Sequence, residues 1–336
     1  MLVLFFVTAV SCANVSPVST EDSARESIPV FKNIEAITPQ WQSFADGVGY
    51  FHGKAASPKI EFWALKIELN TPELRVVVKG GADADSSGFY NEPERRSFPR
   101  TLSAKVSSFV RDNNLIAGIN AVPFDVSSSK EGQPIKNMGI VISGGETAAA
   151  ANARYDALVF YKSGHGGNGR AAIVPQSAIH STENIENAVG GFYQILISGQ
   201  MAKRTQAGSA PSDSAAQPSN MEANASAAPL ANAARHPRSA AGISADGERL
   251  YLLVIDGRRA GSVGATEAET ALLLRALGSA DGINFDGGGS SALALRFPDG
   301  KVKAVNTPVH GLIPGQERAV AGSLGIRKSA QTREDE

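Results

Sequence analysis

Residues 250–291 constrain the fold more than any other stretch of this chain. Leu250–Ile255 (LYLLVI) is a fully apolar strand that ends in Asp256-Gly257-Arg258. Ala265–Leu277 then reads as a helix. Thr266 and Glu269 have Ser/Thr-x-x-Glu spacing, which closes a capping box at its start. Gly282–Phe285 is a second strand, ending in Asp286-Gly287-Gly288-Gly289-Ser290-Ser291. Strand, capped helix and strand form a compact β–α–β unit. If the two strands run parallel, both Asp-Gly turns lie at one sheet edge, where open sheets place their ligands.

Three successive glycines lack Cβ atoms, so the backbone can take positive φ and approach a ligand closely. Their N–H groups can converge on an anion such as a phosphate. Asp286 is held at the strand end with its oxygens toward a cleft. A flexible hairpin with a solvated Asp is the alternative. No Gly-Lys-Ser/Thr follows, and the spacing is not that of a dinucleotide-binding loop.

Strands outnumber helices elsewhere. Lys59–Leu69 (KIEFWALKIEL) nearly alternates, with a phase slip at Trp63-Ala64 that predicts a bulge or bend. Leu74–Lys79 (LRVVVK) reads as its partner strand. Thr101–Asn113 has helical spacing through Leu102, Val106, Phe109 and Val110. Lys203–Ala234 is built of Ala, Ser, Asn, Gln and Pro, and buries too little apolar surface to order itself.

Four motifs occur in order: His236-Pro237-Arg238-Ser239-Ala240-Ala241-Gly242, the LYLLVIDGR strand, Gly264-Ala265-Thr266 with Glu269, and Asn284-Phe285-Asp286-Gly287-Gly288-Gly289-Ser290-Ser291. Together they resemble the phosphodiester glycosidase family. Ile119-Asn120-Ala121-Val122-Pro123-Phe124-Asp125 is similar to that family's Ile-Asn-Gly-Gly-Phe-Phe segment, with Ala121-Val122 adding bulk where the family has two glycines. Gly190-Gly191 and Arg318-Ala319-Val320 match further family positions. The resemblance runs from about Lys59 to Ile326, on both sides of 203–234, so that stretch is an insertion in one domain rather than a linker. It implies an α+β fold like that of the uncovering-enzyme domain, with one substantial mixed β-sheet and a few helices over residues 41–328.

The implied activity is hydrolysis of a sugar-1-phosphodiester in an extracytoplasmic glycan. Glycoside cleavage ordinarily uses two carboxyl groups. Asp286 and Asp256 are the expected pair, with Glu269 and Asp125 in reserve. Arg238 offers a bidentate fork for phosphate, beside the amides of Gly287, Gly288 and Gly289. Ser290 and Arg318 are further substrate-binding candidates. His236 can supply a proton near neutrality, and Asn120 can bond sugar hydroxyls. His52, His165, His180 and His310 are assigned to surface or packing. A non-catalytic glycan-binding protein with the same fold is the competing reading.

The chain's start and charge set the setting. Leu2–Val10 (LVLFFVTAV) is too short to span a bilayer and fits a secretory signal. Ala9-Val10-Ser11-Cys12 resembles a lipobox, which predicts lipidation of Cys12, a lipid anchor on a bacterial membrane, and a polar tether over 13–40. Residues 329–336 read as a disordered tail. With 32 Lys+Arg against 33 Asp+Glu, the chain has no general field for nucleic acid. Its single Cys excludes an internal disulfide and a Cys-rich metal site. No cofactor is expected. Asp83, Asp85, Ser87 and Glu94 copy calcium-loop spacing. The flanks read as strand and turn rather than helix, so a calcium ion there is the minor alternative.

Overall fold

The computed structural model describes residues 28–80, 100–125, 130–163, 170–204, 228–229 and 234–329. Cys12, the loop Asp83–Glu94 and most of the 203–234 insertion lie outside the described residues. What is described of that insertion is a two-stranded ladder, Lys203–Arg204 against Ala228–Pro229. The excursion therefore leaves and returns at one place. No helix among the described residues is long and apolar enough to cross a membrane.

A nine-stranded mixed sheet forms the centre. Its middle order is Val48–Ala55, Ile60–Glu68, Arg249–Ile255, Arg238–Ile243, Asp281–Asn284 and Tyr193–Ile197. Arg249–Ile255 and Asp281–Asn284 are both antiparallel to Arg238–Ile243, and so parallel to each other. The condition set by the sequence is met: the two Asp-Gly turns share one edge, with the Arg238 strand threaded between them. Helix α1 (Val106–Asp112) and helix α2 (Glu267–Leu277) lie in outer layers. α2 packs on one face of the central sheet with Phe51, Phe62, Leu253 and Ile255. The other face packs on two five-stranded sheets through Trp63, Leu65, Ile119, Leu158, Ile283 and Leu324. α1 covers the outside of one of these, through Phe109, Val110 and Ala294.

This layering corrects two expectations. The Ile60–Glu68 strand keeps one register with both neighbours and has no bulge at Trp63-Ala64. Its alternation is intact but hidden. Ile60, Phe62 and Ala64 face α2, while Trp63, Leu65 and Ile67 face the other sheets. A strand covered on both sides loses its polar face and so appears to slip in phase. Leu74–Val78 pairs instead with Ser323–Lys328 at a sheet edge. α1 also starts later than expected, because Arg100–Leu102 is held in a ladder with Pro134–Lys136.

Glycines let the layers approach. A Cβ on Gly191 would lie 2.7 Å from the Ile283 side chain. Phe62 is fully buried, with its ring centroid 5.8 Å from that of Phe51. Phe62→Ala removes that ring from a site with no room to collapse. The expected loss is about 3–5 kcal/mol, read by urea denaturation.

Candidate active site

The turn after Asp281–Asn284 is fastened before it does any chemistry. Asp286 N–H donates to the Ala121 carbonyl (2.9 Å), and Gly288 N–H donates to the Pro237 carbonyl (2.8 Å). Gly287 N–H bonds back to the Asp286 carboxyl. Gly288 has φ +62°, which suits glycine. A Cβ on Gly287 would lie 2.9 Å from the Pro237 oxygen, so a side chain there would displace the turn. The Gly288 amide is therefore occupied by the protein itself, which removes it from the three amides expected to hold phosphate.

Asn120 is the latch beneath this turn. It is 1% exposed. Its Nδ2 donates to the Asp286 carbonyl (2.6 Å), and its Oδ1 accepts from Ser239 Oγ (2.6 Å) and Ala292 N–H (3.1 Å). It positions the turn and is not available to sugar. Val122, offered as bulk toward a ligand, is buried and packs against Gly322 instead.

Three more sequence-predicted residues have structural work. Asp256 is 1% exposed and bound to Arg259, Asn306 Nδ2 (3.1 Å) and Thr307 N–H (3.0 Å). Glu269 closes the capping box with Thr266 and takes both arms of Arg235 at 2.5 and 2.6 Å. Arg238 is 6% exposed. It donates to the Ala265 (3.0 Å) and Ala234 (3.2 Å) carbonyls and faces Glu267 at 3.8 Å. Being next to Ser239 on a strand, it points to the opposite face from Asn120. Asp125 is exposed, its N–H bonded to the Lys136 carbonyl.

What remains at the edge is one carboxyl and a ring of cations. Asp286 keeps contact with solvent while protein surrounds it. Burial pushes its carboxyl up to about 6, against the opposing pull of the Ser290 hydroxyl and the Arg318 charge. Arg318 lies over the Phe124 ring at 5.1 Å and reaches Ser290 Oγ at 3.4 Å. Arg258 is exposed, with φ +58°, and a Cβ on Gly288 would lie 3.2 Å from its Nη2. His310 Nδ1 would lie 3.6 Å from a Cβ on Gly289. Burial holds His236 and His310 below the usual imidazole range, helped by Arg238 and Arg258 for the first and Arg318 for the second. Sequence reasoning gave Arg258 no role, although it closes the Asp-Gly-Arg motif. It put His310 among packing residues, and no local pattern marks it; only the fold brings it to Gly289.

No group of three or more His, Cys, Asp or Glu among the described residues is arranged to hold a metal ion. A cavity of about 700 Å3 lies elsewhere, bounded by Ile67, Leu74, Phe160 and Ile326, and contains none of the residues above. Asn120→Ala would leave the Asp286 carbonyl, Ser239 Oγ and Ala292 N–H without this partner. At about 1–3 kcal/mol for each buried group left unpaired, stability should fall by about 3 kcal/mol or more in thermal denaturation.

The described fold is similar to solved structures. The catalytic domain of zebrafish N-acetylglucosamine-1-phosphodiester alpha-N-acetylglucosaminidase, auto-inhibited by its pro-peptide, superposes with a TM-score of 0.56 at 17% identity, covering 87% of this chain and 89% of that one. A hypothetical protein from Synechocystis superposes with a TM-score of 0.54 at 14% identity, covering 87% of this chain. The match spans 64% of that protein's length. Comparison with curated proteins gives no match. A model of the phosphodiester glycosidase family matches residues 113–327, from just after α1 into the Ser323–Lys328 strand and through every element of the site. With well over half of its length in that pattern, the chain belongs to the phosphodiester glycosidase family.

Proposed function

We propose that this protein hydrolyses a sugar-1-phosphodiester, cleaving the bond between the anomeric carbon and the phosphate oxygen. The observation that carries the reading is the carboxyl of a part-exposed residue, Asp286, next to the Arg318 charge, with the Arg258 guanidinium over the adjoining Gly288. The two arginines hold the phosphate. The Asp286 carboxylate takes a proton from water as its oxygen bonds to the anomeric carbon. The C–O electron pair leaves with the phosphate, which becomes a monoester. A second ionisation near 6 makes that monoester a good leaving group, so no strong acid is required. This accords with Asp256 and Glu269 being engaged elsewhere. His236 and His310, held neutral, can donate hydrogen bonds to phosphate oxygens.

The apolar run before Cys12 supports an exported, lipid-anchored enzyme, and so a glycan substrate outside the cytoplasm. The test uses an α-N-acetylglucosamine 1-phosphodiester, the linkage named for the zebrafish relative. Asp286→Asn keeps the side chain's size and removes its charge. Turnover should fall by about a hundredfold or more, with binding retained, since acid–base groups contribute about 10²–10⁴. A folded Asp286→Asn protein with near-normal turnover would overturn the assignment. Binding without turnover in the unaltered protein would favour the glycan-binding alternative. Activity should survive a chelator; its loss would return attention to Asp83–Glu94.

The pH profile tests the same carboxyl. Burial disfavours the charged form, so Asp286 ionises near 6 rather than at the ordinary value of about 3.9. A group that acts ionised gives kcat/KM rising with pH, with its midpoint near 6. Arg318 pulls that value down, so Arg318→Gln should move the midpoint to higher pH. A limb that falls above 6 would mean that Asp286 acts as an acid.

A further inference from the structure

Leu312 breaks two rules at once. Its φ is +62°, where a side chain's Cβ crowds the backbone and leucine is rare. It is also 73% exposed, and Ile313 beside it is 55% exposed. Strain of this kind persists only where the surroundings impose it, and it gathers at ligand-binding sites. Here the surroundings do impose it. His310 N–H donates to the Gln316 carbonyl (3.0 Å), Gly315 N–H to the Pro308 carbonyl (2.8 Å) and Ile313 N–H to the His310 carbonyl (3.1 Å). The turn is thus a rigid projection rather than a loose loop.

Its location is the second observation. The turn begins at His310, whose Cα would lie 3.4 Å from a Cβ on Gly289. Four non-glycine residues with positive φ occur among the described residues: Asn114, Ser198, Arg258 and Leu312. Asn tolerates this region best. Arg258 and Leu312 both border the Gly288–Ser290 turn. Arg258 accounts for itself as a phosphate ligand. Leu312 carries no charge and packs little of its surface on the protein.

A phosphodiester has two substituents. With the sugar at Asp286 and the phosphate at Arg258 and Arg318, the His310–Gly315 turn, which abuts Gly289, is the exposed apolar rim available to the second substituent. We propose that Leu312 and Ile313 form an aglycone subsite, which selects sugar-1-phosphodiesters whose second ester group is apolar, an alkyl or lipid chain. This rests on the sugar-1-phosphodiester reading and narrows it. An apolar chain laid on the two side chains removes exposed hydrocarbon on both partners from water.

The experiment compares the unaltered protein with Leu312→Asn, Ile313→Ser and the double variant. The substrates are the methyl and octyl diesters of α-N-acetylglucosamine 1-phosphate, with octyl kept below its micellar concentration. Binding is measured in parallel by calorimetry on their uncleavable C-glycosyl phosphonates. The unaltered protein should prefer octyl over methyl at least tenfold, in kcat/KM and in Kd. The double variant should bring both ratios within about threefold. Leu312→Asn should melt no lower than the unaltered protein, because Asn suits the left-handed backbone. Equal binding of the two phosphonates, or a preference that survives the double substitution, overturns the subsite. If both diesters turn over equally and bind equally, hydrolysis stands and the subsite falls. If neither turns over but an octyl preference in binding disappears in the double variant, the subsite stands and hydrolysis falls. If the substitutions change only sedimentation with phosphatidylglycerol vesicles, the pair is a membrane contact and the proposal fails.

Discussion

One buried amide ties the site to the fold. Asn120 stands at the seam between the central sheet and its neighbour, and bonds Asp286, Ser239 and Ala292 from three separate segments. The surroundings are apolar, so each bond replaces water that is no longer there, and losing one strands a buried group. That makes the geometry of the Asp286 turn a consequence of sheet-on-sheet packing. The carboxyl does not depend on its own loop for position. The same segment also supplies Phe124, on which Arg318 lies. Carboxyl and cation are therefore placed by one strand end.

The arrangement of charge follows from the same packing. Ions at the edge that the layers bury have partners: Asp256 with Arg259, Arg238 with Glu267, Glu269 with Arg235. Such pairs are costly to break, because the survivor is left as a lone buried charge. They secure the ends of two strands and the start of α2. Asp286, Arg258 and Arg318 sit outside this pairing, at the surface of the same edge. What separates the two sets is partnership rather than depth, since Glu269 and Asp286 are both half-buried.

Much of this was legible before the structure. The apolar run, the cap and the glycines of 250–291 each have a local physical cause, while the parallel relation of the two strands, left as a condition in the sequence, comes from their shared antiparallel neighbour. The misreadings have one source in common. Leu74–Val78 pairs with Ser323–Lys328, far along the chain, and nothing local announces a partner at that distance. The phase slip at Trp63-Ala64 came from reading polarity as a face, when both faces were covered. Arg238 illustrates the limit for site residues. A motif shows that an arginine is present, but the sheet decides which side it takes. Residues 238 and 239 fall on opposite faces, one toward α2 and one toward Asn120. His310 had no signal at all, because its meaning comes only from contact with Gly289.

Asp256 and Asp286 show why a perturbed carboxyl does not identify a catalyst by itself. Burial raises both to about 6. Asp256 reaches that value sealed under Asn306 and Thr307, where neither water nor a sugar can meet it. Its ionisation can alter stability, but it has no substrate to act on. Asp286 reaches the same value on a part-exposed turn, with the Arg318 charge close enough to pull it down. The shift tells how strongly the protein opposes the charge. Access decides whether that opposition serves packing or chemistry, and access here was set by the turn that Asn120 fixes.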